Sequence, residues 1–170
     1  LFQQEDRETD SERTWAGIET ALTRALEAMR AMQHTEGREM EADISSRISV
    51  IEELVGRIEQ QATVSFEQRK QAFTERIRAL CDGIELDESR LVQEIAVMAD
   101  KSDITEELVR LKSHIKQFRQ WTDTDDPVGR KIDFLMQEMN RESNTIGAKI
   151  ADSELSLCIV SIKNELEKIR

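Results

Sequence analysis

The sequence predicts an all-α protein, built from long antiparallel helices in an extended helical bundle without a sheet. Apolar residues recur at alternating three- and four-residue steps through most of the chain, which is the period of a helix face. No segment shows the two-residue alternation that is typical of a strand. Charged residues make up 35% of the 170 residues and aromatic residues only 4%, with a single proline, a composition that favours long, exposed helices.

The first helix is predicted to begin at Ser11. Its apolar stripe starts at Trp15, is interrupted by polar residues around Gly37, and resumes from Met40 to Ala62. One long helix or two nearly collinear helices fit this pattern. Because a glycine inside a helix costs only about 1 kcal/mol relative to alanine, we favour one continuous helix.

Turn and capping residues predict the later boundaries. The β-branched pair Thr63-Val64 indicates a turn, after which a further helix should end at Asp82-Gly83. Asp87 caps the next predicted helix, and Asp103 caps the one after it, with Glu106 as its capping-box partner and an end near Trp121. A further helix is predicted from Val128, after Pro127, to about Ile146, where Gly147 loosens it. The last predicted helix opens at Asp152.

The acidic charge is concentrated in the first part of the chain. Residues 1–103 contain 13 Lys and Arg against 23 Asp and Glu, whereas residues 104–170 contain 11 against 12. A phosphate-binding surface is therefore expected in the second part. Cys81 and Cys158 are isolated, as in proteins of a reducing cytoplasm, and no apolar run approaches the roughly 20 residues of a membrane span. The sequence thus predicts a cytoplasmic protein without a membrane partner.

Two polar stripes accompany the apolar face of the helix from Val128. Crowded amide, guanidinium and carboxylate groups suit a phosphate or metal ligand. Glu138 and Glu142 stand one turn apart, where like charges destabilise a helix unless Lys131 or a divalent ion neutralises them. The sequence leaves both possibilities open. One stripe contains Arg130, Gln137, Arg141 and Asn144, and the other contains Lys131, Glu138, Glu142 and Thr145.

Glu107, Arg110, His114 and Trp121 share one flank of the helix from Asp103. They could form an ordinary ladder of side-chain pairs, worth a few tenths of a kcal/mol per pair. Alternatively, His114 could transfer protons, because an unperturbed imidazole has a pKa near 6.5. Motifs for zinc, ATP or serine-hydrolase chemistry are absent from the sequence. Aromatic residues are too few for a platform on which nucleobases would stack.

The segment RLKSH at residues 110–114 is followed by GRKIDFLMQEMNRESNT at residues 129–145. In this order the two segments resemble the C-terminal half of the YicC family of bacterial endoribonucleases. That family has a further N-terminal domain to which nothing here corresponds. The resemblance divides the chain into an acidic linker from the missing domain at 1–10, a long helical arm at 11–102, and a motif-bearing helical region at 103–170.

The resemblance implies a metal-dependent endoribonuclease that hydrolyses phosphodiester bonds in single-stranded or looped RNA with Mn²⁺ or Mg²⁺. It also implies a homo-oligomer, a hexamer in the full-length protein. The alternative is a non-catalytic helical assembly module whose polar face docks the missing domain or a neighbouring subunit. The candidate residues are Glu107, His114, Glu138 and Glu142 for catalysis; Glu138 and Glu142 for the metal; and Arg110, Lys112, Lys116, Arg130, Lys131, Arg141, Asn144 and Lys149 for RNA.

Overall fold

A computed structural model describes residues 11–81, 87–122 and 127–170. Within these ranges the chain is all-α, as predicted, and contains no strand. Among the described residues, none of the helices combines the length and the hydropathy that a membrane span requires. The helices are α1 (Ser11–Leu80), α2 (Glu88–Ser102), α3 (Thr105–Thr122), α4 (Gly129–Lys149) and α5 (Ser153–Ile169).

The predicted continuity of α1 through Gly37 is confirmed, but the turn predicted at Thr63-Val64 is wrong, because α1 continues to Leu80. β-branched residues cost a helix only a few tenths of a kcal/mol each. Tertiary contacts on both sides of this pair oppose that cost. Ala62 packs against the core, and the Ser65 hydroxyl donates to Asp152 Oδ2 at 2.9 Å. The predicted stop at residues 82–83 lies outside the described residues.

Aspartates cap α2 and α5, as predicted. The Asp87 side chain accepts hydrogen bonds from the backbone N–H groups of the first turn of α2 at 3.1 and 3.3 Å. Asp152 accepts from the N–H groups of Glu154 and Leu155 at 2.8 and 3.0 Å. The bond from Leu155, followed by the bond from Ser65, holds the pKa of the Asp152 carboxyl below its usual value.

Asp103 marks the start of α3 as predicted, but the capping box does not form. Asp103 Oδ1 accepts from both the N–H and the hydroxyl of Thr105. The backbone N–H of Asp103 donates to the Asp100 carbonyl at 3.4 Å. Glu106 forms an ion pair with Arg110 instead of returning to Asp103. An ion pair one turn away therefore takes the place of the capping-box bond.

Gly147 does not loosen α4, which runs through it to Lys149. The glycine has a packing role, since a Cβ atom at this position would lie 3.2 Å from Ile159 Cγ2 of α5. α4 and α5 therefore approach closely where the side chain is missing. Glycine leaves this space open at a helix-propensity cost of about 1 kcal/mol relative to alanine.

Contacts divide the chain into two units, one that ends at Asp43 and one that begins at Ile44. In the first unit, the apolar side chains along α1 are exposed at Trp15, Ile18, Leu22, Leu26, Met29, Met32 and Met40. The predicted division at residues 10 and 102 stays a prediction.

In the second unit, four helices share one apolar core. Polar contacts show that α1 runs antiparallel to α3 and α5. On α5, Glu165 pairs with Arg47, whereas the earlier Asp152 accepts from the later Ser65. Arg119 of α3 pairs with Glu52 at 2.6 Å, whereas the earlier Lys112 pairs with the later Glu59 at 2.5 Å. The buried apolar residues of this core are Ile48, Ile51, Val55 and Ile58 of α1; Ile104, just before α3; Leu108, Leu111, Ile115 and Phe118 of α3; Leu135, Met136, Met139 and Ile146 of α4; and Leu155, Cys158, Ile159, Ile162 and Leu166 of α5.

Candidate functional site

Helices α3 and α4 pack antiparallel, as their polar contacts show. From one contact to the next, the residue number rises along α3 by the same amount as it falls along α4. The two helices therefore keep one register over their whole contact. In order along α3, the paired positions are Asp103 with Lys149, Arg110 with Glu142, His114 with Glu138, and Trp121 with Lys131.

Three potential metal ligands converge at the middle of this helix pair. One ligand atom from each of His114, Glu138 and Glu142 lies within 4.8 Å of the others. Glu142 is buried, with 4% of its surface exposed, while His114 and Glu138 are half-buried. Two carboxylates and one imidazole form a donor set that divalent transition-metal ions accept.

The helices hold this cluster through their apolar faces. Leu111 and Ile115 are buried on either side of His114 in α3, and Met139 is buried between the two glutamates of α4. Glu138 and Glu142 are four residues apart and therefore project from one helix face. The core thus turns the two carboxylates towards the imidazole.

His114 also carries unmet hydrogen-bonding capacity. Its Nδ1 atom is buried and has no hydrogen-bond partner among the described residues. A buried polar group without a partner costs about 1–3 kcal/mol, so native proteins seldom retain one without a reason. An ordered water on Nδ1 would remove this cost, and so would an ion where Nδ1 is the ring nitrogen that faces the two carboxylates. The residues present therefore fit a divalent metal ion.

The sequence left Lys131 open as the cation that neutralises the two glutamates, but the structure gives each glutamate an arginine instead. Arg110 Nη1 lies 3.4 Å from Glu142 Oε1, and Arg141 Nη1 lies 3.9 Å from Glu138 Oε2. The Lys131 ammonium lies over the Trp121 ring, 5.8 Å from its centroid. Arg110 also pairs with Glu106, so its guanidinium bridges the edge of the cluster to the start of α3.

Glu107 forms a separate pair with Lys149, whose ammonium donates to Glu107 Oε1 at 2.7 Å and to the Asp103 carbonyl at 2.8 Å. Burial acts to raise the pKa of the Glu107 carboxyl, but the bonds from Lys149 and the backbone outweigh it and leave that pKa below its usual value. The structure thus pairs Glu107 with Lys149, two helical turns away from His114.

The other candidate RNA-binding residues lie at or near the surface. Lys112 is engaged by Glu59 of α1, while Arg110 and Lys149 are engaged by the carboxylates described above. Four further candidates are exposed: Lys116, Arg130, Arg141 and Asn144.

Sequence reasoning placed Glu138 and Glu142 together but did not place His114 as their third ligand. Spacing along one helix shows which residues share a face, whereas the register between two helices depends on the side chains that pack between them. The predicted antiparallel packing of the two helices could have identified His114 as the third ligand. Aligning Asp103 with the end of α4 sets His114 opposite Glu138.

The fold and the cluster define an all-α protein with a candidate divalent-metal site on an antiparallel helix pair. The chain belongs to the family described as Endoribonuclease YicC-like, C-terminal, whose model matches residues 58–170. It is 43% identical over 167 residues to a probable endoribonuclease YicC from Clostridioides difficile (strain 630). It is 30% identical over 166 residues to a probable endoribonuclease YicC from Haemophilus influenzae. The matches cover 98% of this chain but 57% of each relative.

Proposed function

We propose that this chain is the C-terminal part of an endoribonuclease and binds one divalent metal ion through His114, Glu138 and Glu142. Membership of the YicC-like family supports the reaction class. The observation that carries the proposal is the convergence of the three side chains within 4.8 Å, on two helices whose register brings them together. The substrate is RNA, and the bond hydrolysed is a phosphodiester.

The donor set favours Mn²⁺ over Mg²⁺. Magnesium prefers oxygen ligands and keeps several waters, whereas manganese accepts carboxylates and also tolerates imidazole nitrogen. When bound, the ion would polarise a phosphoryl oxygen and lower the pKa of a water molecule. The protein supplies the fixed positions of the three ligands.

Positive side chains around the cluster are suited to hold the RNA backbone. Arg110 is 52% exposed, and only two of its nitrogens face Glu142 and Glu106, so the N–H groups that these carboxylates do not use can donate to a phosphate oxygen. Arg141, one turn from Glu138 on α4, is 73% exposed and offers a second guanidinium. Contacts of this kind position the backbone without reading sequence.

His114 has two possible roles that exclude each other at one nitrogen, because a nitrogen that binds the ion cannot also carry a proton. We assign His114 to the ion because its ring meets both carboxylates. The H114A variant separates the roles. As a ligand, His114 is required for Mn²⁺ affinity. As a general acid or base it would be required for the cleavage rate alone, by about 10²–10⁴-fold.

Calorimetric titration with Mn²⁺ and cleavage of a labelled single-stranded RNA test the proposal on the same samples. E138Q, E142Q and H114A should each weaken Mn²⁺ binding, and the two glutamine variants should abolish cleavage while leaving helicity intact. E59Q, which removes an exposed carboxylate on α1, is the matched control. Mn²⁺ affinity that is the same in all four variants would refute the metal site.

Assembly is a second candidate function, favoured by the exposed apolar stripe of the first unit. A contiguous apolar surface on a soluble helix is typical of a protein interface. A second copy of the chain is the occupant that we propose, with a hexamer expected for the full-length protein. Light scattering should show a smaller particle after Leu22→Glu and Met29→Glu are introduced together. An unchanged mass would remove the stripe from the assembly.

A further inference from the structure

Phe134 is an exposed aromatic ring next to the candidate metal site. It lies on α4, one turn before Glu138, and 58% of its surface is exposed. One helical turn spans about 5.4 Å along the axis, so the ring stands beside the cluster on the same side of the helix. The core does not use this side chain.

The surroundings of Phe134 distinguish it from an ordinary protein contact. The cores of protein interfaces are apolar and depleted in charge. The positions three, four and seven residues from Phe134 are instead polar, apart from one proline: they are Pro127, Arg130, Lys131, Gln137, Glu138 and Arg141. An exposed ring that is flanked along its helix by Arg130, Lys131 and Arg141 matches a partner that presents flat apolar rings joined by negative charges.

Resting on the proposed function, we propose that Phe134 stacks on an unpaired nucleobase of the RNA substrate and so positions the adjacent phosphodiester at the metal cluster. Arg130 lies one turn to the N-terminal side of the ring, where it can hold the phosphate on the far side of the stacked nucleotide. Glu138 lies one turn to the other side. A single strand that follows α4 therefore passes a cation, a ring and the cluster in that order.

This arrangement gives the site a selectivity for single strands. A base in a duplex is stacked on its neighbours and paired, and cannot cover Phe134 without being unstacked first. A base in a loop or a single strand has a free face. Every base has such a face, so one ring selects unpaired RNA without selecting a sequence. A single stacking position needs no platform of several aromatic residues.

Fluorescence anisotropy in the presence of a chelator, which prevents cleavage, tests this role. The probes are a labelled single-stranded oligoribonucleotide and a blunt duplex of similar charge. F134A should weaken binding of the single strand by about 5- to 150-fold, the range that loss of one stacked base produces, and leave duplex binding unchanged. F134W, which keeps an aromatic face, should retain the affinity, whereas F134L should lose it.

L157A is the matched control, since Leu157 is an apolar side chain of α5 that is 66% exposed. Equal single-strand affinity in F134A and the unchanged chain would overturn the stacking role. A smaller particle in light scattering, with RNA affinity unchanged, would also overturn it and assign Phe134 to a contact between copies. If the unchanged chain bound neither RNA, the proposed function itself would fail, which separates the two failures.

Discussion

Replacing Arg110 with methionine tests how the charge of Glu142 is compensated. Methionine keeps an unbranched chain and removes the guanidinium that lies 3.4 Å from the Glu142 carboxylate. The Glu142 side chain is 5% exposed and that of Arg110 is 52% exposed. The carboxylate is therefore nearly desolvated, while its partner remains half in water.

The magnitude follows from this asymmetry. Breaking a fully buried ion pair costs about 3–5 kcal/mol, and exposed pairs contribute about 0–1 kcal/mol. A long contact with one half-exposed partner should lie between these limits, at about 1–2 kcal/mol. For a chain of this size that corresponds to a decrease of roughly 2–8 °C in Tm.

Mn²⁺ should act differently on the two proteins. In R110M the ion becomes the main compensation for Glu142, so Mn²⁺ should raise Tm more than it does in the unchanged chain. An ion at 100 times its Kd stabilises the state that it binds by about 2.7 kcal/mol, which is measurable by circular dichroism melting. Melts are recorded with chelator and with Mn²⁺.

R119M is the control, because Arg119 is on the same helix and pairs with Glu52, with both side chains about half exposed. The R119M substitution should change Tm little, and it should leave the increase of Tm with Mn²⁺ as it is in the unchanged chain. If R110M loses no more stability than R119M, or if Mn²⁺ raises Tm equally in both, the reasoning about the buried carboxylate is refuted.

Three further outcomes are expected. The folded state lowers the pKa of Glu107, so the ionised carboxylate stabilises the protein above its ordinary pKa of about 4.3, and this contribution is lost as pH falls through the lower folded-state value. E107Q lacks this carboxylate and should therefore show a shallower fall in Tm on acidification. An equally steep fall would contradict this. In chemical denaturation, D152A should lower the free energy of unfolding by about 1 kcal/mol because α5 loses its cap. D152N keeps a side-chain oxygen that can accept the cap bonds and should lose little stability. Equal losses in the two variants would exclude capping as the cause. R130A and R141A should each reduce the slope of log Kd for single-stranded RNA against log salt by about 0.7, and a slope unchanged in both would place the RNA on another surface.

The helices were predictable because each one carries a long apolar period, and the described residues bear out that class. The misplaced turn at Thr63-Val64 shows the limit. β-branched residues are weak helix breakers, and contacts from distant parts of the sequence, such as the bond between Ser65 and Asp152, decide such cases. A local pattern contains no information about those contacts.

The candidate site was predictable along α4 but not across to α3. The spacing of Glu138 and Glu142 placed both carboxylates on one face, yet the cation that contacts Glu142 is Arg110, from the facing helix. Lys131, which shares their stripe, is held over Trp121 instead. Which of two cations reaches a carboxylate depends on side-chain reach across the helix interface. The cytoplasmic location predicted from the cysteines stays a prediction.

The common register of α3 and α4 limits how this sequence can change in length. Deleting one residue from α4 between Glu138 and Lys149 would turn the two positions by about 100° relative to each other, since a helix has 3.6 residues per turn. One of the two pairings with α3 would then be lost. Insertions that preserve the cluster must therefore fall in the connection between the helices or beyond their paired spans. An engineer who wishes to place a reporter in this chain should choose that connection and leave both helices at their present length.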